Sequence, residues 1–312
     1  MKHIFIVNPV AGKGFGVKLK KDIEKAVSDM KIQAVIYETK GIGDGKNFVK
    51  RICETKLADE SIRFYSCGGD GTLNEVINGI IGFENVEAAA FPRGTGNDFV
   101  RNFHVAGFDS PTHQIEGKSV PTDVIKYRYK TAEGEIFSGH GINMFNIGFD
   151  ADVVAATNRY KRISFLKGYA AYFAGIIQNL IKMRGVDVEI ICDDELAYKG
   201  KLLLAAFANG SYCGGGVKGV PAALVDDGYM DMSIIKRVPR RTFIKLFPRY
   251  KKGTHTDDES FLRIIDTARC KNAQITTNAD PFTVSIDGET VFATTMRFEI
   301  VPGKIDFVIP KE

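Results

Sequence analysis

The sequence predicts an α/β domain built on an open, mostly parallel sheet, followed by a β-rich sandwich domain. Three observations carry this reading. The first hundred residues alternate short apolar runs with helical patterns, Gly- or Asn-rich corners close three of those runs, and strand-like runs dominate after about residue 120. Strand–helix alternation implies βαβ units, and 312 residues are enough for two hydrophobic cores.

Each element follows in order. HIFIVN (3–8) reads as a strand, and a helix over about 17–30 carries the apolar positions Val17, Leu19, Ile23, Ala26 and Val27. QAVIYET (33–39) is the next strand and NFVKRICETKL (47–57) the next helix. RFYSCGG (63–69) runs into the helical TLNEVINGII (72–81), and AAAFP (88–92) precedes a short helix from about Asn97. Beyond these, DVIKYRYK, EIFSGHGINMFNIGF, VDVEIIC, KLLLAAFANG, MDMSIIK, AQITTN, FTVSIDG and RFEIVPGKIDFVIP read as strands. SFLKGYAAYFAGIIQNLIKM (164–183) and TFIKLFPRYKKG (242–253) interrupt them as helices. The expected domains are 1–122 and 123–300, and the strand over about 300–312 is a candidate to return to the first domain.

Composition narrows the class. A hydrophobic share of 44% with 26% charged residues is that of a globular protein, and a net charge of +4 without a dense basic arm argues against nucleic acid as partner. The five cysteines (53, 67, 192, 213, 270) never take C-x-x-C spacing, so free thiols in a reducing, cytoplasmic setting are expected. No apolar run reaches the roughly 18 residues of a membrane span, and MKHIFIVNPV lacks a signal-peptidase site.

The chemistry lies in the corners. In GGDGT (68–72) a strand ends where a helix begins, and the unpaired N–H groups of a helix N-terminus suit a phosphate. Asp70, set among those donors, suits a Mg²⁺ held against the phosphates rather than a phosphate itself. A tight turn with Asp70 as helix cap is the alternative. Neither a Walker A loop nor a G-x-G-x-x-G is present.

Together, NPVAGKG (8–14), GGDGTLNEV (68–76), PRGTGNDF (92–99) and IDGE (286–289) resemble the diacylglycerol kinase catalytic-domain family, specifically its bacterial soluble lipid kinases. NGSYCGGGVKGVPAALVDDGYMDM (209–232) and VPGKIDFVIP (301–310) extend the resemblance over essentially the whole chain. It implies a fold related to sphingosine kinases and, more remotely, to NAD kinases and phosphofructokinases. It also implies ATP and Mg²⁺ as cofactors and a lipid alcohol as acceptor, met at the inner membrane face by a peripheral protein. Asn8, Pro9, Val10, Ala11 and Gly12 would contact the nucleotide, as would Thr39 and Thr95. Gly69, Asp70, Gly71, Thr72, Leu73, Asn74 and Glu75 would cradle its phosphates, with Asp70 organising the catalytic Mg²⁺ through water. Asp287 or Glu289 would take the proton of the acceptor hydroxyl. Asp227, with the main-chain oxygens of Leu224 and Tyr229, would hold a structural Mg²⁺. Arg93 and Val100 depart from the family pattern; Arg93 either adds a cation to the cleft or points to solvent.

The residues support this chemistry without the resemblance. Phosphoryl transfer needs positioning, charge neutralisation and an oriented nucleophile; glycine loops and Mg²⁺ provide the first two, and a carboxylate provides the third. Asp287 and Glu289 share a face on an unbroken strand, whereas a turn at Gly288 leaves only one facing the cleft. KRVPRRTFIKLFPRYKK (236–252) carries eight Lys/Arg and no acid, which suits either an anionic membrane surface or a solvated basic face over a core-facing stripe. The 164–183 helix reads as core or as a wall of the acceptor cleft, with Arg159, Lys161 and Arg162 able to add to a membrane face. No histidine has zinc spacing and Cys213 has no catalytic partner in sequence, so both are read as structural. Two other functions stay open, a kinase of a soluble acceptor such as NAD and a non-catalytic nucleotide- or lipid-binding protein. The oligomeric state, a homodimer included, is open as well.

Overall fold

A computed structural model of the chain describes residues 1–12, 15–161, 175, 178–179, 185–287 and 289–312. The chain divides into two compact units, Met1–Asp123 with Pro302–Glu312, and Val124–Val301. The chain crosses between them inside strands rather than through a linker.

The first unit is the α/β domain. Strands β1 (Lys2–Val7), β2 (Ala34–Glu38), β3 (Ile62–Gly68) and β4 (Val86–Pro92) alternate with helices α1 (Phe15–Asp29), α2 (Asp44–Thr55) and α3 (Asp70–Ile80). They pair in parallel in the order β2-β1-β3-β4. A 3₁₀ turn (Phe99–Asn102) and the short helix α4 (Pro111–Glu116) follow, the latter capped by Ser110. The last strand, β15 (Thr295–Ile309), pairs in parallel with β4 through Asp306 and Phe307. The apolar alternation of β1 and β3 meets the stripe of α1: Phe5, Val7, Leu19, Ile23, Tyr65, Cys67, Phe91 and Val308 form one buried cluster. Phe5 and Tyr65 stack with centroids 4.2 Å apart, and the Tyr65 hydroxyl meets His3 Nδ1 at 2.7 Å. Arg63, 5% exposed, is neutralised by Glu87 at 2.6 Å and donates to the carbonyls of Gln114 and Ile115. This tie holds α4 to the sheet. The sequence missed α4, whose six residues are too few to show a period.

The second unit is antiparallel. Its elements are β5 (Lys118–Lys130), β6 (Ile136–Gly141), β7 (Met144–Gly148), α5 (Phe149–Lys161), β8 (Val186–Cys192), β9 (Glu195–Ala208), β10 (Met230–Lys236), α6 (Arg240–Lys252), β11 (Ile265–Cys270), β12 (Asn272–Thr276), β13 (Phe282–Ile286) and β14 (Glu289–Ala293). The long β9 organises them: β7, β8 and β10 all pair with it. Phe145, Ile190, Phe207, Met232, Ile275 and Phe298 are among the side chains of the main core. A second cluster packs Phe149 of α5 against Phe243, Leu246 and Tyr250 of α6.

EIFSGHGINMFNIGF, read as one strand, is two strands and the start of a helix. The chain breaks at Ile142 and Asn143, whose amides turn to a carboxylate, and Phe149 begins α5. Gly288 and Arg162 lie outside the described residues, as does the 164–183 helix apart from Gly175, Gln178 and Asn179.

His3 gives a pH test of the first core. Burial holds its imidazole down at about 4, against an unfolded value near 6.5. Between those limits the unfolded chain binds a proton that the folded one refuses, so stability falls as pH drops from about 6.5 to about 4. His3→Gln should flatten that part of the urea-midpoint against pH curve.

Candidate active site

Strands β1 and β3 are parallel neighbours, and the chain leaves them towards opposite edges, to β2 and to β4. Their carboxyl ends therefore form the switch point of the sheet, where open α/β sheets bind ligands. The two corners are stitched there. Asn8 continues the ladder through its amide to Cys67 O at 3.0 Å. Its side-chain oxygen accepts from Val10 N at 3.2 Å, an Asx turn, and its Nδ2 donates to Thr72 Oγ1 at 3.2 Å. Pro9, Val10 and Gly12 are exposed beyond this turn, Ala11 is half-buried, and Gly12 takes φ 67°. Thr39 sits beside them on the next corner, its amide bonded to Val7 O at 2.9 Å.

Asp70 is the centre of the arrangement. Its Oδ2 accepts from Asn97 N at 2.7 Å and its Oδ1 from Asp98 N at 2.8 Å, with Phe99 N at 3.5 Å. Burial pushes the carboxyl above its usual range, and these amides pull it part of the way back. The acid inside the glycine loop thus clasps the GTGND segment. The glycines make the clasp possible. A Cβ on Gly94 would lie 2.5 Å from Gly69 Cα, and one on Gly96 would lie 2.7 Å from Asp70 Oδ2. Gly71 differs: a Cβ there would meet nothing within 4 Å. Asn97 closes the segment from within, exchanging hydrogen bonds with Gly94 N and O at 2.8 and 2.9 Å. Thr95 is exposed at its tip.

The seven residues from Gly69 to Glu75 do not act as one cradle. No side chain caps α3, so the first-turn amides at Asp70–Thr72 belong to the open end that a helix always leaves. Leu73, 3% exposed, is core, and its amide is already bonded to Gly69 O at 3.1 Å. Asn74 accepts from Asn78 Nδ2 at both its oxygens. Glu75 faces away, accepting from Gly43 N at 2.7 Å and Lys46 N at 3.3 Å, and so caps α2. Arg93 extends the β3–β4 ladder through its amide to Gly68 O, and its guanidinium reaches Asp109 O at 3.4 Å. Asn97, Asp98, Gly94 and Gly96 were legible as a motif, but only their closeness to Asp70 shows what they do.

In the second unit Ile286 pairs with Glu289, so Asp287 opens the two-residue turn of the hairpin and Glu289 begins the strand that follows it. Asp287 takes φ 45°, the left-handed conformation that such turns require. Its carboxylate accepts from three consecutive amides, Ile142 at 2.9 Å, Asn143 at 3.1 Å and Met144 at 3.2 Å. Asn209 of the NGS segment secures the same stretch by donating to Ile142 O at 2.9 Å. Glu289 is exposed. Tyr127, unremarked in the sequence, lies within the field of both acids; burial and their charges push its phenol up to about 12.

Asp227 is differently placed. Its Oδ1 accepts from Tyr229 N at 3.0 Å, and Arg269 forms an ion pair with its Oδ2. Arg269 also lies 3.8 Å from Asp231 Oδ2 and 4.4 Å from the Tyr229 ring centroid, with Lys271 on that ring at 5.3 Å. In this structure the Asp227 carboxylate is therefore engaged by the Tyr229 amide and the Arg269 guanidinium, and Leu224 beside it is exposed. Among the described residues no group of three His, Cys, Asp or Glu side chains is arranged to hold a metal.

A parallel sheet with its switch point between β1 and β3, joined to an antiparallel sandwich, defines a class that the comparisons specify. Residues 2–127 match the diacylglycerol kinase catalytic domain, and residues 143–309 match the YegS C-terminal NAD kinase beta sandwich-like domain. The chain belongs to the diacylglycerol kinase catalytic-domain family. It is 27% identical over 301 residues to a probable lipid kinase YegS-like of Shewanella frigidimarina, covering 93% of this chain and 89% of that one. It is 25% identical over 312 residues to a diacylglycerol kinase of Bacillus subtilis, covering 98% and 96%. The crystal structure of a putative diacylglycerol kinase from Bacillus anthracis superposes with a TM-score of 0.75 at 22% identity, over 98% of this chain and 94% of that one, and so shares the fold.

Two substitutions probe these contacts. Gly94→Ala should cost about 1–3 kcal/mol by forcing the two loops apart, read as a lower urea midpoint. Arg269→Ala leaves Asp227 and the buried Asp231 facing each other, and should lower stability by about 1–3 kcal/mol, between the ranges for exposed and buried pairs, with a thermal midpoint that then rises on adding Mg²⁺.

Proposed function

We propose that the chain transfers the γ-phosphoryl group of ATP to the hydroxyl of a lipid alcohol, diacylglycerol being the first acceptor to test. The observation that carries this reading is the uncapped N-terminus of α3, held against the GTGND segment by Asp70. That end presents backbone donors and a positive dipole to a phosphate, and the space above Gly71 is open for one. The Asn8–Gly12 turn, Thr39 and Thr95 surround the same end of the sheet with exposed or half-buried backbone and hydroxyl groups that suit the rest of a nucleotide.

Mg²⁺ bound with the nucleotide would supply charge neutralisation at the phosphates, and Asp70, its oxygens given to the Asn97, Asp98 and Phe99 amides, would hold together the two loops that flank that ion. In the second unit the two acids divide the work. Asp287 positions: its oxygens are committed to three amides and hold the hairpin to the 142–144 turn. Glu289 is the proton acceptor, being exposed and placed by that same hairpin. As the acceptor oxygen bonds to the γ-phosphorus, the bond from that phosphorus to the β,γ-bridging oxygen breaks, ADP leaves with that electron pair, and the acceptor's proton passes to the Glu289 carboxylate.

The test is ATP consumption with product detection against dioctanoylglycerol, sphingosine, a polyprenol and NAD. Wild type should turn over at least one lipid alcohol. Glu289→Gln should lower kcat by about 10²–10⁴-fold, the usual worth of a general base, with little change in stability. Asp70→Ala should abolish turnover, and Asp287→Asn should lower the unfolding midpoint as well as the rate. Turnover of NAD alone would overturn the lipid reading, and no turnover on any acceptor would leave a binding protein.

A further inference from the structure

Helix α6 (Arg240–Lys252) sorts its residues onto two opposite faces. Phe243, Leu246 and Tyr250, at i, i+3 and i+7, are buried against the second unit, and Tyr250 is fixed there by its hydroxyl donating to Asp150 Oδ2 at 2.8 Å. Arg241, Lys245 and Lys252, at i, i+4 and i+11, fall on the opposite stripe and are exposed. Lys251 on the same helix and Arg237 ahead of it are also exposed, and Ile244 is 56% exposed. Neighbouring basic residues are neutralised: Lys236 pairs with Asp266 and Arg249 with Asp258. Among the described residues, Arg237, Arg241, Lys245, Lys251 and Lys252 have no ion-pair partner. The stripe from Arg241 to Lys252 spans about 16 Å at 1.5 Å per residue, and no acid lies on the helix.

We infer that the outer face of α6 is an electrostatic docking surface for an anionic phospholipid membrane. This rests on the lipid acceptor proposed above, since an enzyme with such a substrate must work at a bilayer. The apolar stripe is spent on the core, so the helix does not bury itself in the membrane. It adheres by charge, with Ile244 as a shallow apolar contact. Each Lys or Arg near an anionic leaflet strengthens adhesion about fivefold, the fold-change equivalent of about 1 kcal/mol, and salt screens the effect within a Debye length. Nucleic acid is the competing polyanion. It is disfavoured because the stripe is one short helix on a chain of net charge only +4.

The test is co-sedimentation of the full chain with large vesicles of phosphatidylcholine alone or with 30% phosphatidylglycerol. Wild type should bind only the anionic vesicles and be released by 0.5 M NaCl. The triple variant Arg241→Glu, Lys245→Glu, Lys252→Glu should lose binding more than tenfold while keeping its thermal midpoint. A control of equal charge change on exposed residues elsewhere, Lys21→Glu, Lys25→Glu, Lys31→Glu, should keep most of it. Equal binding to neutral vesicles, unchanged binding by the α6 variant, or binding of an RNA oligonucleotide in preference to anionic vesicles would each overturn the inference. Turnover of dispersed dioctanoylglycerol separates the two readings: if it persists in an α6 variant that still binds vesicles, the docking surface falls and the kinase stands. If wild type turns over no lipid but binds vesicles through α6, the kinase falls and the surface stands.

Discussion

The hydrogen bonds from the Asn97 and Asp98 amides to the Asp70 carboxylate are the constraint on which the candidate nucleotide site depends. They join the end of β3 to the segment after β4, so two corners far apart in sequence become one rigid edge. A carboxylate is suited to this because it offers several acceptor sites within a small volume. The same contact demands glycine at 94 and 96, where backbone meets backbone or carboxylate with no room for a side chain, and leaves little room at 69. Glycines that look like a provision for ligand are, for the most part, a provision for each other. Gly71 alone among them faces open space.

The second unit repeats the device. Asp287 gathers three successive amides as Asp70 gathers two at hydrogen-bonding distance and a third at its limit. In each case a buried or half-buried acid organises a turn by satisfying backbone donors that would otherwise be stranded. The acid that is left exposed is Glu289. Rigid loops of this kind reduce the reorganisation required when a charged ligand arrives. Asp227 does the same with one amide and a guanidinium, and Arg269 over the Tyr229 ring places a cation at the surface of the sandwich.

Much of the fold was legible because its periods were strong. The runs of β1, β3 and β4 are mostly apolar, as strands covered on both faces tend to be, with Arg63 and Glu87 paired to each other, and the patterns for α1 to α3 differ from the observed helices only at their ends. What escaped was short or interrupted. α4 has too few residues for a moment, and the strand–turn–strand at 136–148 reads as one run because Ile142 is itself apolar. The basic–aromatic segment showed its composition in sequence, yet only packing shows that Phe243, Leu246 and Tyr250 belong to the core and the lysines and arginines to solvent.

By itself the sequence determined the alternation of elements, the class of the two domains and the positions of the corners, because these follow from local periodicity and from the residues that turns require. Tertiary structure alone decided the work of each polar group. Asp70 and Asn97 stand 27 residues apart and Asp287 and Asn143 stand 144 apart, so which donor meets which carboxylate depends on strand order. No local pattern encodes that order. Whether a carboxylate clasps a loop, caps a helix as Glu75 does, or stays open to a substrate is settled by the amides that the fold brings within about 3 Å of it.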